Sequence, residues 1–190
     1  MRAVPKVGLV LDAPCSGVQT LPWREPGLGA SFALAAWVAF PSAGHEVVAV
    51  DSTGGGDGQG LRLSLNATAA ELRLTDGSGR SSRDGRACSS AASCAPVVTS
   101  DDVCAASVGD GKLHHIAAIM DGASGIASLV VDGTLCDGGS VSVQGWSYLD
   151  PALGSVPAKG LRVGEGVRRV RLYDRYLRTS EAIGAWRAGL

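Results

Sequence analysis

The stretch from Lys112 to Gly133 constrains the fold more than any other part of this 190-residue chain. Its first part, K-L-H-H-I-A-A-I-M-D, alternates two sets of largely apolar side chains, which is typical of a strand covered on both faces. Residues 121–125 (D-G-A-S-G) allow the chain to reverse, and Ile126 to Val131 follows as a second strand rich in β-branched residues. Asp132-Gly133 is a second turn signal. The stretch therefore predicts a β-hairpin inside a larger antiparallel sheet, because an isolated hairpin is only marginally stable in water.

The rest of the chain adds short strands separated by turn residues. Ser31 to Phe40 is the strongest, with bulky apolar side chains at alternate positions and Trp37 on the other face among alanines. Thr179-Ser180-Glu181 is typical of a helix N-terminus and predicts a short helix from Glu181 to Arg187. Ten or more short strands and one terminal helix predict a single all-β domain over residues 1–190, built as a two-sheet antiparallel β-sandwich. The further predicted strands are 7–11, 18–21, 46–50, 61–65, 71–75, 96–99, 141–143, 161–163 and 167–173.

Charge argues against a nucleic-acid partner, and hydropathy argues against a membrane span. The formal net charge is −1, so the whole chain offers no strong field for nucleic acid. The longest apolar run, Phe32 to Phe40, is nine residues, far short of the roughly 20 that a membrane span needs. We therefore expect neither a nucleic-acid partner nor a membrane span.

The cysteines indicate an oxidising compartment, and hence a secreted or cell-surface protein. Three of them lie in a polar stretch at about residues 76–110 and a fourth follows the second turn, so they are not placed as core hydrophobes. Their spacing fits no usual zinc site, while unpaired thiols remain an alternative. We predict a long loop tied by the pairs Cys88–Cys94 and Cys104–Cys136, with Cys15 free or paired outside. Asn66-Ala67-Thr68 is a glycosylation sequon, usable in a secreted eukaryotic chain.

Four landmarks in order give a resemblance to a known superfamily: S-F-A-L-A-A-W-V (31–38), G-K-L-H-H-I-A-A-I-M-D-G (111–122), L-V-V-D-G (129–133) and V-R-R-V-R-L-Y-D-R-Y-L-R-T-S-E-A-I (167–183). The chain resembles the laminin-G-like, concanavalin A-like lectin/glucanase superfamily over nearly its whole length. The resemblance implies a jelly roll of two packed antiparallel sheets. It says much less about function, because that fold hosts lectins, adhesion modules, lyases and hydrolases.

The sequence departs from the superfamily pattern at two places. Leu113 stands where relatives have a tryptophan before the histidine pair, and Arg168-Arg169 stands where they have an acidic pair in the closing strand. A guanidinium cannot ligate a cation, so calcium at that edge is disfavoured and no other cofactor is expected. The weak calcium candidates are Asp12, Asp51, Asp57 and Asp174.

Catalysis is disfavoured by the motifs that the chain lacks. The glucanases of the superfamily place two carboxylates on one strand as E-x-D-x-E or E-x-D-x-x-E, and neither string occurs here. A nucleophile elbow G-x-S-x-G is also absent. His114 and His115 are adjacent on a strand, so they face opposite sides and cannot share one ligand sphere. A lyase using one histidine with Tyr148 or Tyr173 and an arginine remains an alternative.

A binding module is therefore the favoured hypothesis. Aromatic rings stack on sugar C–H surfaces while carboxylates, amides and arginines bind the hydroxyls. The candidate binding residues are Trp23, Gln144, Trp146, Tyr148 and Asp150 in loops, with Arg169 and Arg171 in the last strand. Residues 162–190 hold seven arginines against three acids, so a basic strip there could instead bind sulfated or uronic polysaccharide or an acidic extracellular protein.

Overall fold

The structure is a computed structural model, and it describes residues 7–11, 19–21, 31–39, 47–52, 60–65, 70–75, 97–99, 110–121, 126–136, 161–164 and 166–190. These residues form strands and one helix, α1 (Thr179–Arg187). The strands are β1 (Val7–Leu11), β2 (Gln19–Leu21), β3 (Phe32–Ala39), β4 (Val47–Asp51), β5 (Gly60–Leu65), β6 (Ala70–Thr75), β7 (Val97–Thr99), β8 (Leu113–Asp121), β9 (Ile126–Val131), β10 (Thr134–Cys136), β11 (Leu161–Val163) and β12 (Arg168–Tyr173).

The described strands make two antiparallel sheets of six strands each. The first sheet has the order β1-β12-β3-β8-β9-β10, and the second has the order β2-β11-β4-β5-β6-β7. The predicted fold class, a two-sheet antiparallel β-sandwich with one short helix, is confirmed. The predicted hairpin is confirmed as well, since β8 and β9 pair antiparallel in the first sheet.

The main core lies between the two sheets. Each central strand contributes alternate side chains to it, such as Leu34 of β3, Leu63 of β5 and Ile116 of β8, all of which are fully buried. Burying one such side chain is worth about 1.5–3 kcal/mol, so this layer supplies most of the stability of the sandwich. The alternation that predicted these strands from the sequence is the alternation that fills this core.

A second, smaller core lies on the outer face of the first sheet. Small side chains of the two central strands, Ala33, Ala35 and Ala117, lie beneath residues of the C-terminal segment that include Leu177 and Ala182. Their small size lets α1 approach the sheet closely. Both faces of β3 and β8 are therefore covered, as their apolar patterns predict.

A two-residue turn joins β9 to β10. Asp132 and Gly133 both have positive φ, +46° and +75°, which is the type I′ geometry that suits a tight hairpin. A Cβ atom on Gly133 would lie 2.5 Å from Cε3 of Trp186. Glycine at this position therefore serves both the turn and the docking of α1, whose Trp186 ring packs against it.

The helix begins earlier than the sequence predicts. It starts at Thr179 with Arg178 as the N-cap residue, although Thr179 and Ser180 are the better capping types. The Glu181 carboxylate accepts the Arg178 backbone N–H at 2.9 Å and forms a two-pronged salt bridge with Arg175 at 2.8 and 3.0 Å. The Glu181 side chain therefore provides an acceptor for the Arg178 backbone N–H and fixes the start of the helix.

The predicted loop at 76–110 is only partly described. The strand β7 lies within it and pairs with β6, close to the predicted extension at 96–99. Cys136 is fully buried at the end of β10 and belongs to the main core, contrary to the expectation that it is not placed as a core hydrophobe. Cys15, Cys88, Cys94 and Cys104 lie outside the described residues. The disulfide pairing, the predicted strand at 141–143 and the sequon at Asn66 therefore stay predictions.

Candidate functional site

The two adjacent histidines of β8 face opposite sides of the first sheet, as expected. In the register between β3 and β8, His115 lies opposite Trp37, and His114 lies opposite the inward-facing Val38. The two imidazoles therefore have different surroundings and different chemistry.

His114 lies between two carboxylates. Its Nδ1 is 2.5 Å from Oδ2 of Asp132, and its Nε2 is 2.9 Å from Oδ1 of Asp110. The other carboxylate oxygen of Asp132 accepts the His115 backbone N–H at 2.8 Å, and Lys112 Nζ lies 3.0 Å from Asp110. We call Asp110, His114 and Asp132 the clasp, because they tie the segment before β8 to the turn between β9 and β10.

The electrostatics of the clasp favour a charged imidazole. Burial alone would lower the pKa of His114, but the hydrogen bonds to Asp132 and Asp110 outweigh it and raise the pKa above 6.5. The hydrogen bond to His114 in turn holds the pKa of Asp110 well below its usual range. Both ring nitrogens can donate at once only in the imidazolium form. With both nitrogens engaged, His114 has no lone pair for a metal ion or for general-base catalysis.

His115 is fully buried on the outer face of the sheet. Its ring meets the Trp37 ring edge-on, with centroids 5.4 Å apart, and neither ring nitrogen has a hydrogen-bond partner. Burial lowers its pKa to about 4, with the Asp132 charge opposing and the Arg171 charge adding to that shift. His115 is therefore a neutral imidazole at physiological pH.

The closing strand β12 carries a β-bulge at its arginines. Arg168 pairs with Trp37 and Arg171 with Ala35, so the two residues Arg169 and Val170 of β12 lie opposite the single residue Ala36 of β3. Arg169, the residue after Arg168, has φ +52°, and its guanidinium donates to the Gly189 carbonyl. The bulge interrupts the alternation by which Arg169 and Arg171 would lie on one face. In the observed register, Arg168 and Arg171 instead occupy positions on the outer face of the sheet.

The remaining candidate residues are distributed as follows. Asp51 is buried and Asp174 exposed, and no three histidine, cysteine or acidic side chains of the described residues come together as a metal site. No helix in the described part of the chain is long and apolar enough to span a membrane. The residues Asp12, Trp23, Asp57, Gln144, Trp146, Tyr148 and Asp150 lie outside the described residues.

The carboxylate partners of His114 were not predicted from the sequence. Asp132 was assigned to turn chemistry, and Asp110 to the polar stretch before β8. The signal was present in the hairpin itself: with Val131 opposite Ile116, the turn residue Asp132 must come next to His115. Asp110 could not be found in this way, because its contact depends on the path of a loop.

Comparison with known proteins gives a family and a fold. A family described as the concanavalin A-like lectin/glucanases superfamily matches residues 16–183. No curated protein matches the chain. Similar solved structures include the botulinum neurotoxin serotype D binding domain, at 12% identity and a TM-score of 0.58 over 94% of this chain and 42% of that one. A structure of the receptor binding domain of botulinum neurotoxin D has 10% identity and a TM-score of 0.59 over 95% and 43%. The chain thus spans less than half the length of these structures, and at such identity the likeness concerns the fold alone.

Proposed function

Because this chain belongs to the concanavalin A-like lectin/glucanase superfamily, we propose that it is a non-catalytic binding module whose ligand is a glycan. The observation that supports binding over catalysis is the placement of acids on the strands. Asp51 of β4, Glu71 of β6 and Asp121 of β8 stand one to a strand, so no described strand carries the paired carboxylates that a retaining glycosidase needs about 5 Å apart.

The histidines also argue against an enzyme. His114 has both ring nitrogens on carboxylates, and His115 is a fully buried neutral ring. A general base must reach the proton that it abstracts, which neither ring does in this arrangement. A polysaccharide lyase or hydrolase of the same fold is therefore the second hypothesis rather than the first.

The proposed glycan contacts combine aromatic side chains with arginines. We assign stacking to Trp23, Trp146 and Tyr148, hydroxyl contacts to Gln144 and Asp150, and contacts with acidic sugars to Arg169 and Arg171. One stacked ring covering about 50 Å² contributes about 1 kcal/mol. Two rings with a few hydrogen bonds give roughly −4 to −6 kcal/mol, a millimolar to tens-of-micromolar site. Such a module works through multivalency or by targeting an attached domain.

A glycan array followed by turnover assays on each ligand tests the proposal. We expect binding without release of reducing sugar or unsaturated uronate, and loss of binding in Trp146→Ala but not in Tyr176→Ala, which removes an exposed aromatic ring of the C-terminal segment. Turnover that disappears in His115→Phe or Tyr148→Phe would overturn the non-catalytic proposal.

A protein ligand is the third hypothesis, and the exposure of Arg168 and Arg169 favours keeping it. Binding to an acidic extracellular protein that survives Trp146→Ala and fails in the Arg169→Ala/Arg171→Ala double variant would replace the glycan by a protein.

We also propose that the protein is secreted and that the pairs Cys88–Cys94 and Cys104–Cys136 are disulfides. Peptide mapping without reduction tests this. Recovery of free thiols at Cys104 and Cys136 after secretion would contradict it. The support comes from the sequence, in which Cys88, Cys94 and Cys104 lie in a polar stretch rather than in an apolar one.

A further inference from the structure

One row of residues on the outer face of the first sheet carries a polar or aromatic side chain on each of its three strands. Arg168 of β12, Trp37 of β3 and His115 of β8 lie side by side across three strands in register. We call them the Arg–Trp–His row. The next row across the same strands consists of Arg171, Ala35 and Ala117, and its two alanines belong to the small core beneath α1.

Buried polar atoms at this row have no partner. Both ring nitrogens of His115 lack a hydrogen bond although the residue is fully buried, and the buried Nε of the nearby Arg171 lacks one too. Buried polar groups are nearly always paired, so unpaired ones need an explanation. An acceptor group on a ligand would pair with two of these three atoms, the protonated ring nitrogen of His115 and Nε of Arg171.

The segment Ala188–Leu190, which we call the strap, contacts Trp37 of this row and the neighbouring Arg169. The Leu190 carbonyl accepts the Trp37 indole N–H at 3.0 Å, and the Gly189 carbonyl accepts from the Arg169 guanidinium. The strap is in turn fixed to the end of α1, since the Gly189 and Leu190 N–H groups donate to Trp186 and Ala185 at 2.9 Å. Backbone carbonyls thus occupy donors that the oxygens of a ligand would use.

The charge around the row selects an anion. Arg168, Arg169 and Arg171 lie within four residues of β12, and none of them forms a salt bridge with any described residue. The Asp132 carboxylate, whose charge raises the pKa of His115, is already engaged by His114 and by a backbone N–H. The local field is therefore positive and uncompensated among the described side chains.

We propose that the Arg–Trp–His row, with Arg169 and Arg171, binds the carboxylate or sulfate of an acidic saccharide, and that the strap closes this site in the free protein. The inference rests on the proposed glycan-binding function and deepens it. The arginines bind the anion, the Trp37 ring packs on the sugar, and His115 gains a polar partner. Because the strap and the ligand use the same donors, they exclude one another. The measured affinity is then the intrinsic affinity reduced by the fraction of open molecules.

Opening the strap without touching the row tests the proposal. Proline at position 189 cannot adopt φ +66° and lacks the N–H that Gly189 donates to Trp186, so Gly189→Pro releases the strap. Gly111→Pro is the matched control, because Gly111 also has positive φ but is exposed, with nothing within 4 Å of its position for a Cβ. The probes are a heparin tetrasaccharide, a galacturonic acid tetrasaccharide and neutral cellotetraose, titrated by calorimetry.

We expect Gly189→Pro to bind at least one acidic probe about tenfold more tightly than the wild type. Gly111→Pro should match the wild type, and cellotetraose should show no difference. Adding Arg169→Ala or His115→Phe to Gly189→Pro should abolish the gain. In the unmutated protein, the acidic probe should lower the hydrogen-exchange protection of residues 188–190, a readout that needs no variant.

Three results would overturn the inference. Equal affinities of the wild type and Gly189→Pro for all acidic probes would overturn it. If the wild type still binds glycans on the array, the proposed glycan-binding function is kept without the strap. Binding that leaves the protection of 188–190 unchanged would remove the strap from the site. An open variant that captures an acidic protein but no saccharide would replace the ligand class.

Discussion

At the scale of single residues, Gly133 makes a prediction about packing. Its φ of +75° and the Trp186 ring against it both exclude a side chain. Gly111 has the same φ but open space around it. A substitution at Gly111 therefore measures backbone strain alone, whereas one at Gly133 adds steric overlap with Trp186. We expect Gly111→Ala to lower the free energy of unfolding by about 1 kcal/mol, and Gly133→Ala by roughly 2–4 kcal/mol, because α1 must also shift. Chemical denaturation of both variants measures the difference. Equal losses would show that Trp186 does not depend on this glycine.

The buried neutral His115 predicts a pH dependence of opposite sign to that of a salt-bridged histidine. Its pKa is about 4 in the folded protein against the ordinary histidine value of 6.5, so the neutral form is the one that folding favours. The stability that this supplies is fully present above pH 6.5 and is lost as the pH falls from 6.5 to about 4, by on the order of 3 kcal/mol.

Removing the titrating group should remove that dependence. We expect the free energy of unfolding of His115→Phe to rise relative to that of the wild type as the pH is lowered from 7 to 4. The contribution of His114 is common to both proteins and cancels. His115→Gln, which cannot titrate either, should show the same relative slope at a different absolute stability. Parallel curves for all three proteins would contradict a buried neutral His115.

At the scale of the elements, the clasp joins the start of β8 to the turn between β9 and β10. The pKa of His114 is raised above 6.5, so the clasp contributes fully below pH 6.5 and is lost as the pH rises through the folded pKa. We expect ¹⁵N titration by NMR to place that pKa above 6.5 and to show a fall in both Asp132→Asn and Asp110→Asn. Asp121→Asn, at the far end of β8, is the control and should leave it unchanged. A wild-type pKa at or below 6.5 would contradict the clasp.

The elements that the sequence predicted are those whose information is periodic and local. The bounds of β1, β9 and β11 agree with the prediction because alternation and turn residues fix both ends of each strand. Strand β10 was missed, since T-L-C is too short to show a period, and only the two-residue turn before it pairs it with β9. The helix start was misplaced because no hydroxyl marks it: the Glu181 carboxylate accepts the Arg178 backbone N–H and also pairs with Arg175.

The candidate site was predicted less well than the fold, for a physical reason. That His114 and His115 face opposite sides follows from the strand alone. The bulge at Arg169 depends on one positive φ. The contact of the strap with Trp37 joins residues more than 100 positions apart in the sequence. Neither leaves a periodic trace in the sequence. Loops and termini are where such information lies, and they also carry most binding residues.

At the scale of the whole molecule, two packed layers share the strands β3 and β8. One layer is the core between the sheets, which contains Ala118, and the other is the smaller core beneath α1, which contains Ala117. The first layer holds most of the large buried side chains, whereas the second is smaller and half of its buried residues are alanines. The layer beneath the helix is therefore the weaker one, and it should open before the sandwich does.

Substitutions at the adjacent alanines Ala117 and Ala118 of β8 test the two layers one at a time. Leucine at either position overfills a packed layer, at a cost of about 1–3 kcal/mol. Facing the main core, Ala118→Leu has no element that can move away, so we expect protection from hydrogen exchange to fall in both sheets together. Facing the helix, Ala117→Leu can be relieved by undocking α1, so we expect protection to fall in residues 174–190 while β5 and β6 keep theirs. Mass-spectrometric exchange on both variants measures this. A uniform loss in Ala117→Leu would show that the helix is part of the same cooperative unit as the sandwich. A selective loss would show that the sandwich stays folded while its C-terminal cover, strap included, moves on the sheet.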